Sequence, residues 1–217
     1  MIDNAIARAN MVENQLRPNR IDDPRVLAAM AAVPRERFVP EALAGCAYGD
    51  EDLVLGPGRF LIEPLALAKL LQAAAPAADE VALVAGDVTG YVAAVLSQLV
   101  TTVLLLLPPE ADQAPVEAAL AGLGCANVAL RRGEAQDGHA EQAPFDLILL
   151  AGSVPSLPPA LLDQLADQGR LAAVVEQGRS GKVTVAQKVH GAIGRLTPFD
   201  AQVMRLPGLR VEHGFQF

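Results

Sequence analysis

Between residues 79 and 175 the chain alternates short, mostly apolar runs, several of them apolar along their whole length, with stretches of helical periodicity. The apolar runs fall at 81–85, 103–107, 127–131, 145–150 and 170–175. Helical stretches separate them at 91–100, 114–123 and 159–165. A strand that is apolar on both faces must be covered on both, and helical crossovers are what cover it. The pattern therefore predicts a parallel sheet between two layers of helices and excludes a helical bundle or a β-sandwich. A further strand at 182–190, joined to 170–175 by Gln177-Gly178-Arg179-Ser180-Gly181, reads as antiparallel, and 199–217 holds one more. With 217 residues, 52% of them hydrophobic and 19% charged, the chain can bury a large core and is not intrinsically disordered.

The first forty residues read as helices. Asp3 caps a helix in which Ile6, Ala9, Met11 and Val12 form an apolar stripe, and Arg17-Pro18-Asn19 ends it. Asp22 or Asp23 with Pro24 opens a second helix through Met30, which Val33-Pro34 stops. Residues 35–43 form another short turn or helix. A glycine-bearing loop, Leu55-Gly56-Pro57-Gly58-Arg59, precedes a helix over 65–75 with Leu67, Leu70 and Leu71 on one side. The expected organisation is a single domain over 1–217, with N-terminal helices at 1–45 and a Rossmann-like core at 79–217. The Ile6/Met11/Val12/Leu16 face is assigned to the core, with a homodimer contact as the alternative to a monomer.

Charge and composition remove several functions. A net charge of −8 and 4% aromatics argue against nucleic acid as a partner, which would need a basic face or a stacking platform. The most lipid-like run, 92–107, is broken by polar residues and is short for a span. No segment resembles a signal peptide, so no membrane role and a cytoplasmic location are expected. Two cysteines, Cys46 and Cys125, read as small core residues; with three dispersed histidines they provide no metal site. Ser153 reads as cap or loop polarity, because no histidine is placed to activate it. Arg35, Glu36 and Arg37 read as a surface ion-pair cluster, with docking of the N-terminal helices second. Arg131-Arg132 reads as a solvated strand end, and His139 sits in a polar loop.

One segment carries a chemical signal. VALVAGDVTGYVAAVL is a strand, a turn with Gly86 and Gly90, and a helix. Such turns cradle nucleotides, because their N–H groups and the helix N-terminus face the ligand. Taken alone, it is equally a tight turn of any α/β protein.

The context extends the reading. VPRERFVPEAL, LVLGPGRFLIEP, the glycine turn with GYVAAVL, NVALRRGE and APFDLILLAG follow in order. Together they resemble the protein-L-isoaspartate O-methyltransferase family from about residue 24 to about residue 176. ARANMVENQLRPN looks like the N-terminal helix of its bacterial members. The resemblance implies an α/β, Rossmann-like, seven-stranded methyltransferase sheet with helices on both faces and an N-terminal helical extension. It implies S-adenosylmethionine as cofactor and, as substrate, proteins or peptides with isoaspartyl carboxylates. Such a carboxylate is ionised at neutral pH, so alignment with an activated methyl group does most of the work.

The same resemblance assigns roles. Gly86, Asp87, Thr89 and Gly90 line the cofactor, Leu107 ends the second sheet strand where an acid grips the ribose, and Glu134 stands where an acid reads the adenine. Gly56, Gly58 and Arg59 form the substrate loop, and Ile62 takes the place of a Ser or Thr facing the substrate. The sequence departs from the pattern at Val88, where a third glycine is usual, at Leu107, at Ile62 and at Val84, where an acid is usual. Val88 is expected to disfavour a positive φ and to fill cofactor space, and Asp87 to place negative charge near the cofactor's carboxylate. The expectation is methyl transfer that is weakened or lost, or else a non-catalytic methyltransferase-like binding or scaffold protein.

Overall fold

The structure, a computed structural model, describes residues 3–209. Seven strands form one sheet: β3 (Val81–Ala85), β4 (Thr102–Leu107), β5 (Val128–Arg132), β6 (Phe145–Val154), β7 (Leu165–Gln177), β8 (Ser180–Val189) and β9 (Ala192–Ala201). A separate hairpin pairs β1 (Leu53–Gly56) with β2 (Arg59–Leu61). The sheet order is β5-β4-β3-β6-β7-β8-β9. The first five strands of the sheet run parallel, while β8 and β9 are antiparallel. Leu83, Leu105 and Leu149 have no exposed surface, because both faces of the sheet centre are covered. The chain leaves β3 toward β4 on one side and reaches β6 on the other. The carboxyl ends of β3 and β6 therefore flank the switch point, where open α/β sheets hold ligands.

The helices α1 (Asn4–Asn10), α2 (Pro24–Ala32), α3 (Pro64–Ala74), α4 (Tyr91–Leu96), α5 (Ala114–Ala121) and α6 (Pro159–Asp163) follow the predicted starts closely. Asp3 accepts the N–H groups of Ala5 and Ile6, and Asp23 caps α2 ahead of Pro24. One buried apolar cluster extends from Met11 to Leu206 and includes the N-terminal helices.

Several details correct the sequence reading. The first helix changes to π geometry over Met11–Leu16, which rotates its apolar stripe. Met11, Val12 and Leu16 are buried, whereas Ile6 is 59% exposed and Ala9 faces solvent. The glycine loop is the β1–β2 hairpin. Helix α4 is shorter than 91–100, and the segment at 170–175 is only part of β7, which begins at Leu165 directly after α6. β6 continues past residue 150 through Gly152 and Ser153. β9 begins at Ala192 rather than near 199, and being a solvated edge it lacks the apolar run that marks the other strands. The rest of the expected 199–217 segment, from residue 210, lies outside the described residues. Cys125 is buried as expected, but Cys46 is exposed.

Candidate functional site

The turn after β3 needs its two glycines. Gly86 and Gly90 have φ of +82° and +87°, in the left-handed region that glycine enters without strain. Between them Asp87 points inward and is 3% exposed. Its Oδ1 accepts the N–H of Thr89 (3.0 Å), the N–H of Gly90 (2.9 Å) and the hydroxyl of Thr89 (2.7 Å). Its Oδ2 accepts the N–H of Ala93 at 3.1 Å. Thr89 Oγ1 accepts the N–H of Tyr91 at 3.1 Å. The positive end of α4 is thus capped by the turn's own carboxylate. Two expectations change. Asp87 is part of the turn's framework and its charge is spent there. Val88 is half-buried with no positive φ, so it carries no backbone strain.

Leu107 closes β4 with no exposed surface, and its carbonyl accepts the N–H of Gly133 at 2.9 Å. The Ala85↔Leu106 register sets it beside Gly86. Glu134, just beyond β5, is exposed. On the other side of the switch point Ser153 is 4% exposed and lies within β6. Its Oγ donates to Glu176 Oε1 at 3.1 Å. It is therefore a buried hydrogen-bond donor to a carboxylate and neither a helix cap nor loop polarity.

Above these strand ends run residues 203–208. Met204 N–H donates to Asp52 Oδ2 at 2.5 Å, and Ser153 N–H donates to Met204 O at 2.9 Å. Leu206 N–H donates to Ser153 O at 2.9 Å. Arg205 grips Glu176 with Nε at 2.8 Å and with Nη2, and this ion pair holds the Glu176 carboxyl below its usual range. Leu206 is 1% exposed. A Cβ placed on Gly86 would lie 2.5 Å from Leu206 Cδ2, and one on Gly152 would lie 2.7 Å from the same atom. The Leu206 side chain therefore rests on the bare backbone of both glycines.

The β1–β2 hairpin forms the outer wall. Gly56 and Gly58 have φ of +146° and +65°, and Arg59 is exposed. Asp52 Oδ1 accepts the N–H of Glu63 at 2.7 Å. Burial raises the Asp52 carboxyl above its usual range. Burial, then Asp52 and Asp50, push Glu63 up to about 7. Ile62 is 1% exposed, and its carbonyl accepts from Arg35 Nη2 at 2.9 Å.

Arg35 is the largest departure from the charge-cluster reading, for it has no exposed surface. Its Nε donates to Ala47 O at 2.6 Å, and the guanidinium carbon lies 4.7 Å from the centre of the Tyr91 ring. It ties the hairpin to α4. Glu36 does serve the N-terminal helix, accepting from the Tyr48 hydroxyl at 2.5 Å and lying 3.9 Å from Arg8. Arg131 and Arg132 are exposed, as a solvated strand end should be. Among the described residues no group of three His, Cys, Asp or Glu side chains is arranged to hold a metal, and no helix is long and apolar enough to cross a membrane.

Three of the residues singled out in sequence converge on one segment, whereas a Cβ on Gly90 would meet Val116 and Leu120 of α5 and one on Gly56 would meet nothing. Gly58, Gly86 and Glu134 all approach segment 203–208: Cβ positions on Gly58 and Gly208 lie 3.5 Å from Pro207 and 3.9 Å from Glu134 Oε2. Sequence reasoning missed Asp52, Glu63, Arg35 and Leu206. The Arg35-Glu36-Arg37 run could have been divided by noting that one of three neighbours on a turn faces inward. Nothing local marks Leu206.

Comparison with known proteins identifies the family. Residues 7–199 match the model of the protein-L-isoaspartate(D-aspartate) O-methyltransferase family. A protein-L-isoaspartate O-methyltransferase of Koribacter versatilis is 37% identical over 204 residues, covering 94% of this chain and 92% of the relative. One from Methylorubrum extorquens is 42% identical over 183 residues, covering 84% of this chain and 79% of the relative. A Plasmodium falciparum protein-L-isoaspartate O-methyltransferase, solved with S-adenosyl-L-homocysteine, superposes with a TM-score of 0.79 at 20% identity, covering 94% of this chain and 99% of that one. That likeness speaks to the fold. With the sequence match spanning nearly the whole chain, this protein belongs to the protein-L-isoaspartate(D-aspartate) O-methyltransferase family.

Proposed function

We propose that this protein methylates isoaspartyl carboxylates of proteins from S-adenosylmethionine but holds that cofactor weakly. Family membership supports the reaction class, and a solved relative carries S-adenosyl-L-homocysteine. One observation carries the weak hold: the Leu206 side chain lies on Gly86, at the place where the glycine turn would meet an adenosyl ligand. Two others agree with it. The N–H groups of Thr89, Gly90 and Ala93 are already satisfied by Asp87. Leu107 offers the ribose no acceptor, and hydrogen bonds to a carboxylate are worth roughly 1.5–3 kcal/mol each. In this arrangement the residues present do not fit a tightly held adenosyl cofactor.

What the chain's own residues supply is position. Arg35 fixes the β1–β2 hairpin to α4, and Asp52 anchors Glu63, while Gly58 and Arg59 of the hairpin face solvent. A second reading, a non-catalytic binding protein, is favoured by Ile62, whose buried side chain offers a substrate no hydroxyl. Met11, Val12 and Leu16 of the N-terminal apolar face are spent in the chain's own core, which favours a monomer.

The test is transfer of labelled methyl to an isoaspartyl peptide, scored as base-labile ester. Ester formation with a KM for S-adenosylmethionine above ~0.1 mM is expected, some two decades above a micromolar site. Saturation at low micromolar cofactor would overturn the weak hold. No ester at millimolar cofactor would favour the second reading.

A further inference from the structure

The segment that covers Gly86 is built into the site by four separate attachments. Asp52 accepts the N–H of Met204, Ser153 exchanges backbone hydrogen bonds with Met204 and Leu206, Arg205 pairs with Glu176, and Leu206 is buried. Glu176 receives two partners on one oxygen, Arg205 Nε at 2.8 Å and Ser153 Oγ at 3.1 Å. The segment therefore packs on Gly58, Gly86 and Gly152, and its turn at Pro207-Gly208 brings Gly208 near Glu134. The three atoms nearest to a Cβ on Gly86 all belong to Leu206: Cδ2 at 2.5 Å, Cδ1 at 2.7 Å and Cγ at 3.2 Å. A glycine at a switch point leaves its backbone open to a ligand. Here that opening is filled from within the chain.

We propose that residues 203–208 form an autoinhibitory strap, with Leu206 as an internal competitor for the adenosyl seat and Arg205–Glu176 as its latch. The proposal rests on the reading above of where the cofactor sits. Binding then requires Leu206 to leave Gly86, and the apparent affinity is lowered by the small fraction of molecules with the strap lifted. A ligand that binds only the lifted state shifts the population toward it. The strap's own hydrogen bonds report its position, because the amides of Ser153 and Leu206 are protected only while it is seated.

The experiment titrates S-adenosyl-L-homocysteine into the intact protein and into Leu206→Ala, Leu206→Met and Glu176→Gln by calorimetry, with each fold checked by circular dichroism. Leu206→Ala deletes the three atoms that close Gly86, and a gain of at least ~10-fold in affinity is expected. Leu206→Met keeps the volume and should bind like the parent. Glu176→Gln keeps the shape but weakens the latch, and should bind about 3-fold more tightly with faster exchange of the Leu206 amide. Hydrogen exchange on the unmodified protein provides a readout that needs no variant. At near-saturating ligand the Ser153 and Leu206 amides should lose protection while those of β4 keep theirs. A folded Leu206→Ala that binds no better than the parent would overturn the strap, as would ligand that leaves both amides fully protected. These failures are separable from that of the functional reading. Low-micromolar binding by the parent removes the weak site itself, whereas weak binding by parent and Leu206→Ala alike removes only the strap.

Discussion

Replacing Asp87 by alanine should destabilise the protein severely, although the residue lies in a turn and not in the hydrophobic core. Its two oxygens satisfy three backbone N–H groups and the Thr89 hydroxyl in a setting that is 3% exposed. Loss of a helix N-cap alone costs about 0.5–2 kcal/mol. Each buried donor left without an acceptor adds roughly 1–3 kcal/mol, less where water can enter beside the half-buried Gly86 and Val88. The net expectation is about 3–4 kcal/mol. With a urea m-value of roughly 2 kcal/mol/M, the unfolding midpoint should fall by about 1.5–2 M at unchanged m. Asp87→Asn keeps one acceptor oxygen and should lose only about 1 kcal/mol. Urea titrations followed by circular dichroism measure both. If Asp87→Ala loses less than ~1 kcal/mol, the carboxylate does not close the turn and the account of a self-satisfied cradle fails.

Further expectations follow from other groups at the site. Glu63 titrates near 7 in the folded protein against 4.5 unfolded, so its contribution is complete below about 4.5 and is lost as pH rises through about 7. Glu63→Gln should therefore flatten the fall in stability between those values, by about 1–2 kcal/mol once solvent screening of a half-buried group is allowed for; melts at pH 5 and pH 8 read it. Arg35→Met should cost about 3 kcal/mol, because the Ala47 and Ile62 carbonyls lose their donor, and Arg35→Lys should rescue little of it. Val88→Gly with Leu107→Glu should tighten S-adenosyl-L-homocysteine binding at least ~10-fold by supplying charged acceptors, while the new buried carboxylate lowers the melting temperature. Calorimetry and a thermal melt on the same sample decide it.

The inner parallel strands were legible because they are apolar on both faces, and such runs have few alternative fates. The solvated edge strand β9 was not, since nothing in its pattern separates it from a loop. The exposure of Ile6 could not be read either: a π turn shifts the helical phase without leaving a mark in the sequence. At the site, Gly86, Leu107 and Glu134 could be given a position because each closes or follows a strand that was itself legible, and Gly90 because it opens a legible helix; their roles came from the family resemblance alone. The orientation of Asp87 was not, because an acid beside a glycine turn can point toward a ligand or back to the helix, and only the free N–H groups of α4 decide it. Arg35 was hidden among neighbouring charges, and its burial depends on the Ala47 and Ile62 carbonyls, which come from other segments. Leu206 comes to Gly86 and Gly152 from more than fifty residues away, and no local pattern encodes so distant a contact.

In the proposed reading the family's scaffold is intact while Leu206 lies where the adenosyl cofactor would meet Gly86. Calorimetric titration of the unmodified protein with S-adenosyl-L-homocysteine tests it most directly. A dissociation constant weaker than ~0.1 mM is expected, short of about −6 kcal/mol of binding free energy. A constant in the low micromolar range would contradict it.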